Sequence, residues 1–337
     1  MSVRLSVDLG GGLALANPVI AASGTFGYGV EYFGVARPQD LGAIVVKGIS
    51  LRPSSGHAAP RMVESAAGML NAIGLQNIGV ERFLADKLPE LRAHGVTVVV
   101  NCWGNTVEEY GEVVAALEGA EGIAAIEVNI SSPNKREWGR IIATDPKRTA
   151  EVVAVARSQT RRPLWVKLSP NVTDIVEFAK VAEAEGADAV CVANTYVGMA
   201  IDLRSRRPVL TNITGGLSGP AIKPLNLRAV HQVVRGCKIP VIGVGGILSG
   251  EDALEYLLAG ARAVQIGTAN LYDPAAGEKI LIQIKKFLEE EAISDVNDFV
   301  GTLRVSTTTL TFSRKYSKIL ELLNPNPPPS KEKSECS

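Results

Sequence analysis

Eight short runs of apolar, β-rich sequence recur along the chain, at 18–22, 43–47, 96–101, 123–129, 164–168, 189–193, 240–244 and 263–267. Between them lie stretches with apolar residues at helical spacing, among them 80–93, 106–117, 146–159, 175–185, 227–235 and 249–258. Apolar runs without strict alternation are strands buried on both faces, and strands that alternate with helices pair in parallel. Eight such units favour a closed (β/α)8 TIM barrel, an α/β fold, although a doubly wound open sheet shares the periodicity. Gly95, Gly186 and Gly260 sit where one helix ends and the next strand begins. Ahead of the first run, residues 3–9 and 13–16 flank Gly10, Gly11 and Gly12 as a short N-terminal hairpin, expected to cap the bottom of the barrel. The alternation breaks at 194–224, a polar, glycine-rich stretch read as an extended loop after strand 6, either a functional lid or disordered. The reading is one barrel domain over 1–303 and a flexible tail over 304–337, which ends in a proline-rich segment.

With 337 residues, 46% of them hydrophobic, the chain is long enough for a sizeable core. Lys plus Arg and Asp plus Glu are each 35, so no global field draws nucleic acid or an acidic membrane surface. Cys102, Cys191, Cys237 and Cys336 lack metal-ligand spacing, so no zinc or iron–sulfur site is expected, and a reduced, cytoplasmic setting is. Neither a signal-type N-terminus nor an apolar run of roughly 20 residues is present, so the expectation is a soluble protein that is not exported.

The chemistry gathers where apolar runs give way to polar residues, because a barrel keeps its active groups at the carboxyl ends of its strands. After the run 123–129 comes Asn129-Ile130-Ser131-Ser132-Pro133-Asn134, two amides and two hydroxyls at one mouth. Alone it is equally a Ser-Pro turn with an Asn cap; its company decides. Gly215-Gly216-Leu217-Ser218-Gly219, Gly245-Gly246 and Gly267-Thr268 are glycine turns, the last two after strands 7 and 8, where backbone amides reach a phosphate closely. Lys47 and Lys167 end apolar strands and suit an anionic substrate or a reduced cofactor. Asn71, Asn101, Asn129, Asn134 and Asn194, the last followed by Thr195, offer donors and acceptors to a flat ring with alternating N–H and C=O edges. His57, His94 and His231 fall in a loop, a helix end and an outer helix, away from these segments, which disfavours histidine triads and two-histidine metal sites.

These residues resemble the dihydroorotate dehydrogenases, in particular the class 1B catalytic subunit. The resemblance runs over about residues 2–303 and rests on Ala22-Ser23-Gly24-Thr25, Lys47-Gly48, Asn71-Ala72-Ile73-Gly74-Leu75-Gln76-Asn77, 129–134, Lys167, Ala193-Asn194-Thr195, 215–219, Gly245-Gly246-Ile247 and Gly267-Thr268. It implies FMN held by Ser23, Lys47, Gly48, Asn101, Asn129, Lys167, Ala193, Gly219, Gly245, Gly246, Gly267 and Thr268. It implies orotate or dihydroorotate held by Lys47, Asn71, Ala72, Ile73, Gly74, Leu75, Asn129, Asn194 and Thr195, with Ser132 as the general base. The implied reaction belongs to pyrimidine biosynthesis: the base takes the C5 proton while C6 passes a hydride to FMN. Electrons then reach NAD through a second subunit carrying FAD and an iron–sulfur cluster, in a heterotetramer of two catalytic and two electron-transfer chains.

Three segments depart from that pattern, one of them the tail after Leu303. Class 1 enzymes carry cysteine as the base where this chain has Ser132, and the following 135–144, with Trp138, lacks the usual glycine pair and aromatic. A hydroxyl is a weaker acid than a thiol, so proton abstraction is expected to slow and to move to higher pH. Competing readings are a dihydropyrimidine dehydrogenase-like flavin barrel and a flavin-binding subunit without turnover. Lys47 favours orotate over uracil, which has no carboxylate.

Overall fold

Strand-forming runs rich in Val, Ile and Ala are buried on both faces and close on themselves. The computed structural model describes residues 3–131 and 142–305. Barrel strands β1 (Val19–Ala21), β2 (Ala43–Ile49), β3 (Val98–Cys102), β4 (Ile123–Asn129), β5 (Leu164–Lys167), β6 (Ala189–Val192), β7 (Val241–Val244) and β8 (Ala263–Ile266) pair in parallel. The register Val264↔Val19 joins the last strand to the first and completes the expected (β/α)8 barrel. All five residues of β3 and all four of β5, β6, β7 and β8 are buried. One face packs inside the barrel and the other against the helices, so an alternating pattern would leave polar groups unsatisfied on one side.

Four of the outer helices begin at side-chain caps that accept from their first turn. Thr106 caps Val107–Glu118, Asp145 caps Pro146–Ser158 and Asp174 caps Ile175–Ala184. Ser249 and Asp252 form a reciprocal capping box on Gly250–Leu258. Between Val80–Arg82 and Leu88–Ala93 the helix widens into a π turn over Phe83–Lys87, next to Pro89, which has no N–H to give the regular ladder.

The hairpin Val7–Asp8 with Ala14–Leu15 turns through Gly10, Gly11 and Gly12 and seals the amino-terminal end. A Cβ on Gly10 would lie 2.5 Å from the carbonyl oxygen of Asp188, the residue before β6, so the turn presses on the barrel floor as the sequence suggests.

The stretch after β6 is not an irregular loop. Tyr196–Met199 and Thr214–Ser218 pair antiparallel, and a second hairpin inserted after β2, Met62–Ser65 with Gly68–Asn71, extends them into a four-stranded sheet. Leu70, Ala72 and Leu210 form its own small core, backed by Val63, Ala200 and Leu217. Its glycines look like loop residues in sequence but are packing residues: a Cβ on Gly216 would collide with Thr195 Oγ1. Met1–Thr302 form one compact unit, and of the chain beyond it only 303–305 are described. Among the described residues, no helix is long and apolar enough to cross a membrane.

Candidate functional site

Parity along each strand decides what the mouth receives. In β4, Glu127 and Asn129 share the inward face; in β3 Asn101 pairs with Glu127, and in β5 Lys167 pairs with Asn129. A cavity of about 440 Å³ opens at the carboxyl ends of the strands. Of the residues implied for cofactor, Ser23, Lys47, Gly48, Asn101, Asn129, Lys167, Ala193, Gly219, Gly245, Gly246, Gly267 and Thr268 all line it. Of those implied for substrate, so do Asn71, Ile73, Gly74, Leu75, Asn194 and Thr195. Ala72 does not: it is fully buried in the small core beneath the cap sheet, its carbonyl 3.0 Å from His57 Nδ1. Ser132, Asn134 and most of 135–144 lie outside the described residues.

At one end the cavity is built for close approach. Asn226 Nδ2 donates to the Val244 carbonyl at 2.7 Å and Tyr256 Oη to the Gly245 carbonyl at 2.8 Å, fixing the turn after β7 from behind. Both turn residues have positive φ, 118° at Gly245 and 71° at Gly246. Gly267, after β8, is different. Its φ is ordinary, and the nearest atoms to an added Cβ lie 3.8 Å away. Among the described residues nothing forbids a side chain there, so the missing Cβ leaves room on the cavity side. Thr268 Oγ1 and Ser218 Oγ, 2.8 Å apart, add hydroxyls at the same end.

Two cations come from β2 and from the segment leading into the hairpin after it. Lys47 and Arg61 both line the cavity, and among the described residues no ion pair involves Lys47. Burial, with repulsion from Arg61 added and only Glu31 opposing, holds the Lys47 ammonium below its ordinary pKa. Arg61 is aimed by Gln76 Oε1 at 2.6 Å and the His57 carbonyl at 3.3 Å. A small carboxylate would relieve this repulsion. Amides line the same cavity: Asn129 Nδ2 donates to Asn101 Oδ1 at 3.2 Å, and Asn194 Nδ2 to Ser131 Oγ at 2.8 Å.

A family model described as dihydroorotate dehydrogenase matches residues 5–290. The chain belongs to the dihydroorotate dehydrogenase family. It is 52% identical over 301 residues to the dihydroorotate dehydrogenase B (NAD(+)) catalytic subunit of Geotalea daltonii, covering 89% of this chain and 98% of that one. The proteins of the same name from Geobacter sulfurreducens and Trichlorobacter lovleyi are also 52% identical, with 89% and 90% of this chain covered and 98% and 99% of theirs. In fold it is similar to a crystal structure of DHODH from Eimeria tenella in complex with ferulenol, with a TM-score of 0.72 at 22% identity over 89% of this chain and 88% of that one. The chain is therefore an oxidoreductase of a flavin-dependent family.

Sequence reasoning gave no individual role to several residues in and below this cavity. Gly24, Thr25, Tyr32, Arg61, Gln76 and Ser218 line the cavity from loops and the cap sheet, where no strand run announces them. Glu127, Cys191 and Gln265, all fully buried, form a polar layer below it. Burial and the neighbouring Glu127 carboxylate push the Cys191 and Cys102 thiols up, so both stay protonated and unreactive. A charged residue inside a run buried on both faces was the available signal, because it can face only the barrel interior. A second groove, about 470 Å³, lies between Ile175–Ala184 and Lys223–Gly236 and is lined by Arg228, His231 and Arg235. It shares no residue with the strand ends.

Proposed function

We propose that this chain is the FMN-binding catalytic subunit of a dihydroorotate dehydrogenase that oxidises dihydroorotate to orotate in pyrimidine biosynthesis. The observation that carries the reading is one cavity lined both by glycine turns after β7 and β8 and by a Lys47–Arg61 pair that, among the described residues, lacks a paired counter-charge. A phosphate fits the first and a carboxylate the second, which are the two anionic groups the reading requires. FMN fits the residues present: Gly245, Gly246, Gly267 and Thr268 would hold its phosphate, and Lys47, Gly48, Asn101, Asn129, Lys167 and Ala193 its ring system. Bound there, it would supply the hydride acceptor. Lys47, with Arg61 behind it, orients the substrate by its carboxylate, and Asn71, Asn129, Asn194 and Thr195 read its ring edge.

Ser132 is the proposed base for the C5 proton, in place of the class 1 cysteine. The name of the relatives, a catalytic subunit of an NAD(+) enzyme, supports delivery of electrons to NAD through a partner subunit. We assign that partner FAD and an iron–sulfur cluster, and the assembly two copies of each chain. The buried thiols Cys102 and Cys191 suit the reducing cytoplasm, and we take residues 1–303 as the catalytic domain and 304–337 as a tail.

The test is an absorbance spectrum of the purified chain followed by anaerobic titration with dihydroorotate and, separately, dihydrouracil. Flavin absorbance that bleaches with dihydroorotate is the expected result. Bleaching by dihydrouracil alone would support the dihydropyrimidine-type reading, and a flavin that neither compound reduces would leave a binding subunit without turnover.

A further inference from the structure

Below the cavity floor, the barrel interior holds a carboxylate where branched apolar side chains ordinarily fill the space. Glu127 is fully buried. Asn101 Nδ2 donates to its Oε1 at 2.6 Å, Gln265 Nε2 to its Oε2 at 2.6 Å and Cys191 Sγ to Oε2 at 3.0 Å, while Lys167 Nζ stands 3.7 Å from Oε1. Every one of these partners stands as a donor toward the carboxylate, and Lys167, itself buried, supplies its counter-charge. Replacing such a pair with apolar side chains is often neutral or stabilising, so the pair is poorly explained as a device for stability.

An ionised carboxylate only accepts, and that dictates which end of each neighbouring amide faces it. Asn101 and Gln265 both turn their NH2 groups to Glu127, which frees their oxygens for other partners. Gln265 Oε1 accepts from Lys167 Nζ at 3.1 Å, and Lys167 also donates to Ser23 Oγ at 3.3 Å. Asn101 Oδ1 accepts from Asn129 Nδ2; Asn129 Oδ1 then accepts from the Ser131 N–H at 3.2 Å and its hydroxyl at 3.0 Å, and Ser131 Oγ accepts from Asn194. The sense of each bond follows from the one before it, from the floor to the mouth.

We propose that Glu127 is the positioning residue of this site, which tempers the charge Lys167 offers the cofactor and fixes the donor–acceptor sense of Asn101, Asn129 and Asn194. The inference rests on the flavin-binding reading of the cavity. Lys167 lines the cavity and Glu127 does not, so Glu127 acts through its neighbours. With Glu127 in place the pair is neutral; without its charge, Lys167 meets a reduced, more negative cofactor with its full charge.

The test uses the flavin-loaded chain, its E127Q variant and the charge-neutral E127Q/K167M double variant. Reductive titration against a reference dye should show the E127Q reduction equilibrium moved at least tenfold toward reduced flavin, about 30 mV upward for a two-electron couple. The double variant should lack that upward shift. Orotate affinity, read from the flavin spectrum, should fall about tenfold in E127Q, because an amide in place of the carboxylate can donate as well as accept and so releases Asn101 to turn over. An E127Q protein with the parent's potential and orotate affinity overturns the proposal. Should E127Q fail to retain flavin, melting temperatures decide: the double variant must recover the stability E127Q loses, and one as unstable as E127Q overturns the proposal. A parent chain that takes up no flavin refutes the functional reading instead, which keeps the two failures apart.

Discussion

At the scale of single residues, the clearest expectations concern Lys47 and Ser132. Lys47 faces a cavity it shares with Arg61 and, among the described residues, has no acidic partner, so under the proposed function a substrate carboxylate would meet its charge. Lys47→Ala is expected to weaken orotate by roughly 1.5 to 3 kcal/mol, the worth of a charged hydrogen bond, or about ten- to hundredfold in Kd, with a smaller loss of FMN. Equal losses of both would assign the lysine to the cofactor. Its lowered pKa also fixes a sign: only the protonated amine binds a carboxylate, so orotate affinity should decline with rising pH earlier than for an ordinary lysine. The Ser132 prediction follows from acidity. Ser132→Ala should abolish anaerobic flavin reduction by dihydroorotate while leaving orotate binding nearly intact, and Ser132→Cys should accelerate it near neutral pH, because a thiol ionises far more readily. Stopped-flow traces across pH decide; a Ser132→Ala chain reduced as fast as the parent moves the base elsewhere. Lys47, Asn129 and Lys167 were legible because each is a polar residue ending an apolar run. Glu127 and Gln265 carry the same kind of signal inside their runs, where a reading of each run as uniformly apolar passes over them.

At the scale of elements, the turns after β7 and β8 separate glycines the fold needs from one it does not. An added Cβ on Gly246 would press within 2.7 Å of the Lys223 backbone nitrogen, in a conformation with φ of 71°. At Gly267 it would find ordinary contact distance. Gly267→Ala is therefore expected to leave the melting temperature of the flavin-free chain unchanged and to weaken FMN binding, measured by quenching of flavin fluorescence. Gly246→Ala should lower both, by about 1 to 3 kcal/mol in stability for the strained backbone. A Gly267→Ala chain that binds FMN like the parent would remove the β8 turn from the phosphate site. The cap sheet explains the main misreading of the sequence. Its strands are four or five residues long and come from segments far apart in the chain, with Asn71 against Gly216. The glycines that let them pack are the residues that mark loops in a sequence.

At the scale of the whole molecule, the unit Met1–Thr302 contains the continuous core and every described residue of the site. A chain ended after Leu303 is accordingly expected to fold, melt at the parent's temperature and bind FMN; loss of flavin or of cooperative melting would make the remaining segment part of the catalytic body. The amino-acid sequence alone determined the eight strands and the residues at their carboxyl ends, because burial on both faces and helical spacing are local patterns that each segment carries by itself. Only the tertiary structure decided which polar groups meet. Barrel closure brings β8 against β1 and sets Gln265 on Glu127, 138 positions apart, while the cap sheet joins insertions after β2 and β6 over the mouth. Such partners are chosen by the geometry of closure, and local periodicity holds no record of it.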